Sequence, residues 1–173
     1  MRTDIPNLKL AMAFVALGSN LGDSRRTLLG ALERLQEFST VPIACSSFYQ
    51  TTPVDCPPGS PVFLNAVAGL LPRPEETPES LLARLQSVEK DFGRTPKKFL
   101  NEARPLDLDL LTFGRQMRHS TDLVLPHPRA AQRRFVLQPL SEIAPELILP
   151  GQLKTVAELL AALPVDSQVT RLS

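Results

Sequence analysis

At 173 residues, 43% hydrophobic and 21% charged, the chain can bury an ordinary core and has the balance of a globular rather than a disordered protein. A formal net charge of +1 excludes a strong overall field for nucleic acid or membrane surfaces, so phosphate binding must come from local clusters. Two cysteines, Cys45 and Cys56, make neither a disulfide framework nor a zinc site, and no apolar run approaches a membrane span. Asp4, Pro6 and Asn7 interrupt the first residues, unlike a signal peptide, and the expected location is cytoplasmic. The length fits one domain over 1–173, with 1–11 a loose leader and 151–173 a C-terminal extension.

In chain order, Met12 to Leu17 reads as a short buried strand, ended by Gly18-Ser-Asn-Leu-Gly22-Asp23, where a glycine lets the backbone approach a ligand or another strand. Asp23 or Ser24 can cap the helix that carries Leu28, Leu32, Leu35 and Phe38 at helical spacing. Pro42 to Tyr49 is a second strand, in which Cys45 reads as a small buried hydrophobe. Gln50 to Val54 leads into a proline- and glycine-rich loop, and Val62 to Leu71 is a third strand, with Phe63 and Asn65 on one face. A buried asparagine there needs a backbone partner or a flat polar ligand. Thr77-Pro78 opens a second helix with the stripe Leu81, Leu82, Leu85, Val88 and Phe92, and Gly93 ends it. Gln86 and Glu89, three apart, read as a solvated pair or as two groups reaching one ligand.

A basic loop from Gly93 leads to Arg104-Pro-Leu-Asp107-Leu-Asp109-Leu-Leu. In a strand Leu106, Leu108 and Leu110 share one face and Asp107 and Asp109 the other, the carboxylates roughly 7 Å apart. Either the strand is half exposed with acidic residues outward, or the two like charges are relieved by a divalent cation. Mg²⁺ suits such a pair, because it takes one or two carboxylates and completes its shell with water and phosphate. Beyond it, Leu123 to Arg129 is an extended piece fixed by prolines. Arg134 to Pro145 is a short helix disturbed by a proline, and Thr155-Val-Ala-Glu158 is a capping box opening a last helix. The order is that of a ferredoxin-like α+β sandwich, β-α-β-β-α-β, with additional C-terminal helices.

Paired aspartates, the basic clusters Arg94, Lys97, Lys98, Arg104 and Arg129, Arg133, Arg134, and His127 together suit a metal-bound nucleoside triphosphate. Phe63, Asn65 and Phe135 suggest a second subsite, in which aromatic faces stack on a flat heterocycle and the amide reads its edge. Each aromatic taken alone reads as core before it reads as site.

Six blocks, in order, resemble one family: Ala16 to Asp23, Ser47 to Val54, Phe63 to Val67, Glu89 to Arg94, Arg104 to Leu111, and Pro126-His-Pro-Arg through Phe135 to Pro145. It is the 6-hydroxymethyl-7,8-dihydropterin pyrophosphokinase family of folate biosynthesis, ferredoxin-like in fold. The resemblance implies transfer of pyrophosphate from MgATP to the pterin hydroxymethyl group with release of AMP. It implies that Asp107 and Asp109 hold two Mg²⁺ ions, that Arg94 and Arg104 steady the transferring group, and that Lys97 contacts phosphate. Gln86, Glu89, Leu110, His127 and Arg133 then line the ATP side. Phe63 and Phe135 sandwich the pterin, while Asn65, Thr51, Val54 and the backbone near Gly18 and Thr52 read its edge. The expected partners are these small-molecule substrates, with neither nucleic acid nor membrane, and a monomer is expected.

The chain departs from many members of the family where Asn101-Glu102-Ala103 stands in place of Trp-Gly-Pro, and it has no tryptophan. Two other readings remain at this point. Another Mg²⁺-dependent phosphoryl or nucleotidyl transferase on the same sandwich would turn over ATP without a pterin. An RNA-binding sheet of the same topology would use the aromatics but has no use for paired aspartates.

Overall fold

The structure, a computed structural model, describes residues 8–53, 56–165 and 168–173. Strand β1, Ala13–Ser19, is followed by helix α1, Ser24–Gln36, with Asp23 as its N-cap accepting from the Arg26 N–H. Two short strands, β2 (Ala44–Cys45) and β3 (Tyr49–Thr51), precede β4 (Phe63–Leu70), helix α2 (Pro78–Asp91) and β5 (Asp107–Phe113). The sheet runs β5-β1-β4-β3, with β5 and β4 antiparallel to β1 and β3 antiparallel to β4, the ferredoxin-like arrangement expected. A two-stranded hairpin of β6 (Arg118–His119) and β7 (Val124–Leu125) follows, then helices α3 (Arg134–Ile143) and α4 (Val156–Ala162). The last strand, β8 (Val169–Arg171), pairs with β3 and extends the main sheet. No helix among the described residues is long and apolar enough to cross a membrane.

Each sheet face is covered by a different set of helices. Leu28, Ala31 and Leu35 of α1 and Leu81, Leu85 and Val88 of α2 pack on the face that carries Val15, Leu17, Leu108 and Leu110. On the opposite face Met12, Phe14, Val67 and Leu111 meet Val136, Leu137 and Leu140 of α3. The alternation along β5 separates Leu108 and Leu110 from Asp107 and Asp109 as the period-2 pattern requires, with Leu111 on the aspartate face under α3.

The second expected strand, Pro42 to Tyr49, differs in outcome. It is split into β2 and β3 because Ser46 Oγ accepts the Val67 N–H at 2.9 Å, which displaces the regular ladder. Cys45 is exposed rather than buried, since β2 is two residues long and lies at an edge of the sheet. The three helix starts with side-chain caps, at Asp23, Thr77 and Thr155, match their sequence signals. Thr77 accepts from Ser80 N–H at 3.1 Å while Ser80 Oγ accepts from Thr77 N–H at 2.9 Å. Thr77→Ala is expected to cost about 1 kcal/mol, read as a lower urea midpoint with an unchanged slope.

Candidate active site

The face of the sheet beneath α3 is covered only in part. Beyond the N-terminal end of α3 the same face continues uncovered, and its residues change from Phe14 and Val67 to small and polar ones. Gly18 lies between Asn65 of β4 and Asp107 of β5 in register, and Ala16 lies opposite Asp109. A Cβ on Gly18 would touch Asn65 Oδ1 at 3.4 Å and Asp107 Cβ at 4.0 Å, so the glycine keeps the floor between them open. The result is a cleft of about 430 Å³, within the range of small-molecule sites. Thr51, Thr52, Phe63 and Asn65 line one side, Asp107 and Asp109 another, and Arg133, Arg134 and Phe135 a third.

Asn65 is buried, and its amide donates to Thr51 Oγ1 at 2.8 Å, which fixes the orientation of the amide toward the cleft. Thus the partner for this buried asparagine is a side chain on the neighbouring strand. The guanidinium of Arg133 lies over the Phe135 ring, 5.4 Å from its centroid, so that aromatic in the first turn of α3 is held by the cation at the helix N-cap.

Charge is arranged unevenly over the two aspartates. Asp107 pairs with Arg94 Nη1 at 2.7 Å and lies 3.4 Å from Arg104 Nη1. Burial pushes the carboxyl of Asp109 up to about 6, and the charge of Asp107 pushes it the same way, against the weaker pull of Arg133, Arg104 and Arg94. A carboxyl that is buried beside a like charge favours its proton at neutral pH more than an ordinary one. Arg104 Nε is buried and has no hydrogen-bond partner among the described residues, a donor suited to an anion.

The resemblance-derived residues fall into two groups. Gly18, Thr51, Thr52, Phe63, Asn65, Arg104, Asp107, Asp109, Arg133 and Phe135 all line the cleft. Val54 lies outside the described residues. Gln86, Glu89, Arg94, Lys97, Leu110 and His127 are not in the cleft wall. Gln86 and Lys97 are exposed on α2 and the following loop. The side chain of Leu110 is in the core on the face opposite the aspartates, so its main chain alone is left for a ligand. His127 is half-buried, and burial together with Arg133 and Arg129 holds its imidazole below the usual histidine range, hence neutral at pH 7. Glu89 is buried rather than half of a solvated pair: its Oε1 accepts from Leu108 N–H at 2.7 Å and from Arg94. It therefore acts on the site through Arg94.

Asn20 was read only as part of a turn. It is buried, its Oδ1 accepts from Arg104 N–H at 2.9 Å, and its N–H donates to Arg104 C=O at 3.2 Å. It ties the end of β1 to the start of the aspartate strand. The position in Gly18-Ser-Asn was visible in the sequence, but its partner 84 residues away was not.

Residues 14–145 match the profile of the family described as 7,8-dihydro-6-hydroxymethylpterin-pyrophosphokinase (HPPK). The 2-amino-4-hydroxy-6-hydroxymethyldihydropteridine pyrophosphokinase of Porphyromonas gingivalis is 40% identical over 141 residues, 80% of this chain and 94% of that protein. The enzyme of the same name from Pseudomonas aeruginosa is 40% identical over 156 residues, 88% of this chain and 92% of that protein. Among solved structures, wild-type Plasmodium falciparum HPPK-DHPS with pteroate superposes with a TM-score of 0.71 at 14% identity, covering 92% of this chain. This chain spans 47% of the length of that one, and the likeness concerns the fold.

Proposed function

The chain belongs to the 7,8-dihydro-6-hydroxymethylpterin-pyrophosphokinase family, and from that premise we propose that the cleft carries out the family reaction. Pyrophosphate passes from ATP to the hydroxymethyl oxygen of 6-hydroxymethyl-7,8-dihydropterin, and AMP leaves, a step of folate biosynthesis. The observation that supports this reading best is the row Asn65, Gly18, Asp107 across three adjacent strands. It puts a heterocycle-reading amide and an acidic pair on one floor, close enough for one small molecule to span both.

Phe63 and Phe135 offer aromatic faces on two walls of the cleft, and Asn65, held by Thr51, presents its amide to the ring edge. The nucleophile belongs to the pterin, so the protein has to orient that hydroxyl and balance charge rather than supply a reactive serine or cysteine. Arg104, with its unpaired Nε, and Arg94, held by Glu89, are the groups for the phosphates, because guanidinium donors stabilise charge on a transferring phosphoryl group.

The acidic pair fits Mg²⁺. Among the described residues nothing donates a hydrogen bond to the Asp109 carboxyl or pairs with it, and burial and the charge of Asp107 raise its proton affinity. Two carboxylates supply only part of an Mg²⁺ shell, so its other positions are left to water and phosphate oxygens. Asp107 and Asp109 would hold two ions, and the metal supplies neutralisation of phosphate charge when bound with ATP. The protein works as a cytoplasmic monomer on these two small molecules.

The reading is tested by incubating the purified protein with MgATP, with and without the pterin, and resolving AMP from ADP. AMP that forms only with the pterin is the expected result. ADP would point to an ordinary kinase, and pterin-independent turnover to another transferase.

A further inference from the structure

The two walls of the pterin subsite are each fastened to the same terminal stretch of chain, beyond the 14–145 span that matches the family profile. On the Phe135 side, Arg134 lines the cleft, but its guanidinium is turned to main-chain carbonyls at the end of α4. Its Nε donates to Pro164 C=O at 3.1 Å, and its Nη2 lies 3.4 Å from Leu160 C=O and 3.2 Å from Leu163 C=O. A cation there meets the negative end of the helix dipole. On the Thr51 side, β8 pairs along β3, with Thr51 opposite Val169. Thr52 N–H donates to Gln168 C=O at 3.2 Å and Leu172 N–H to Phe48 C=O at 2.8 Å. Arg171 adds a side-chain fastening, with Nε 2.9 Å from Ser47 Oγ and 3.5 Å from Glu142 Oε1. Glu142, on α3, accepts in turn from Ser47 N–H at 2.8 Å and from the Tyr49 hydroxyl.

Only three residues separate Pro164, which holds one wall, from Gln168, which holds the other. We propose that Arg134 and Arg171 are positioning residues for the pterin, which anchor opposite walls of its subsite to one terminal stretch and so set the gap between Phe135 and Phe63, the latter lying opposite Thr51 in register. This rests on the pterin reading of the cleft given above. A stacked heterocycle depends on that gap, because a flat ring gains contact only when both sides of its slot stand at van der Waals distance. Among the described residues no hydrogen bond or ion pair joins this stretch to the ATP side, where Arg94 meets Asp107.

The test is steady-state kinetics of Arg134→Ala, Arg134→Lys and Arg171→Ala, with pterin affinity also measured from quenching of the pterin's own fluorescence without nucleotide. The expected result is a pterin KM and Kd raised about tenfold, with the MgATP KM within about twofold of the parent. A merely structural role would lower the folded fraction and hence apparent kcat, and would move neither KM. Unchanged pterin KM and Kd in folded variants, or equal shifts in both substrates, would overturn the proposal. Should Arg134→Ala fail to fold, Arg134→Lys and Arg171→Ala decide it on the same criteria. If the parent protein makes no pterin-dependent AMP, it is the function of the cleft that fails, not the anchoring.

Discussion

Asp109→Asn is expected to lower turnover roughly 10³-fold while making the free protein more stable at pH 8. The two effects have one cause. In the fold the Asp109 carboxyl is pushed up to about 6 by burial and by Asp107, against a reference of 3.8. At pH 8 it is ionised in both the folded and unfolded states, so the fold bears the cost of holding that charge, about 1–3 kcal/mol. Asparagine has nearly the same shape and no charge, so the variant is relieved of it. As the pH falls through 6, folded Asp109 takes up a proton that the unfolded chain does not bind until near 3.8. The parent gains stability over that window, and the advantage of the variant disappears by about pH 4. Urea unfolding of both proteins at pH 8 and at pH 4.5 reads the difference directly. A variant less stable at pH 8, or a gap independent of pH, would contradict the account. MgATP supplies the converse control: it should raise the Tm of the parent and do so much less for the variant, since only the parent offers both carboxylates.

The same residue shows what the sequence discloses and what it withholds. Period-2 alternation put Asp107 and Asp109 on one face because that separation is local to seven residues of β5, and the leucines fell where expected. Caps at Thr77 and Thr155 were legible for the same reason, their partners being three residues away. Partners distant in sequence were not legible. Nothing near Gln50 announces that it will lie opposite Thr170, and β8 is too short for a periodic signal. Arg134, part of a basic cluster, looked like a phosphate ligand, yet its guanidinium is taken up by carbonyls that only folding brings near. Cys45 failed in the opposite sense. Its apolar neighbours argued for burial, while its position on a two-residue edge strand, which decides exposure, is a property of the sheet.

Glu89 was the residue whose surroundings the sequence misjudged most, and it carries the second large expected effect. A carboxylate in the last turn of a helix opposes the helix dipole, and the sequence reads Glu89 either as half of a solvated pair or as a group reaching a ligand. The fold instead buries it between α2 and β5, where one oxygen receives the Leu108 N–H and the Arg94 guanidinium. Burial raises the Glu89 carboxyl, and the bonds to Leu108 and Arg94 oppose that rise. Glu89→Ala should therefore destabilise the protein by about 2–4 kcal/mol, because it leaves a buried N–H without an acceptor and a guanidinium short of one partner. Glu89→Gln separates the two roles. Its amide oxygen can still accept from Leu108, so most of the stability should return. The charge does not return, and Arg94 is then left to Asp107 alone, 2.7 Å away. An arginine fully committed to Asp107 competes with whatever cation the aspartates hold. The expected signature of Glu89→Gln is thus near-parental stability with a MgATP KM about tenfold higher and a pterin KM that barely moves. Parental kinetics in a folded Gln variant would show that Arg94 does not need Glu89, and would confine this buried carboxylate to holding α2 against β5.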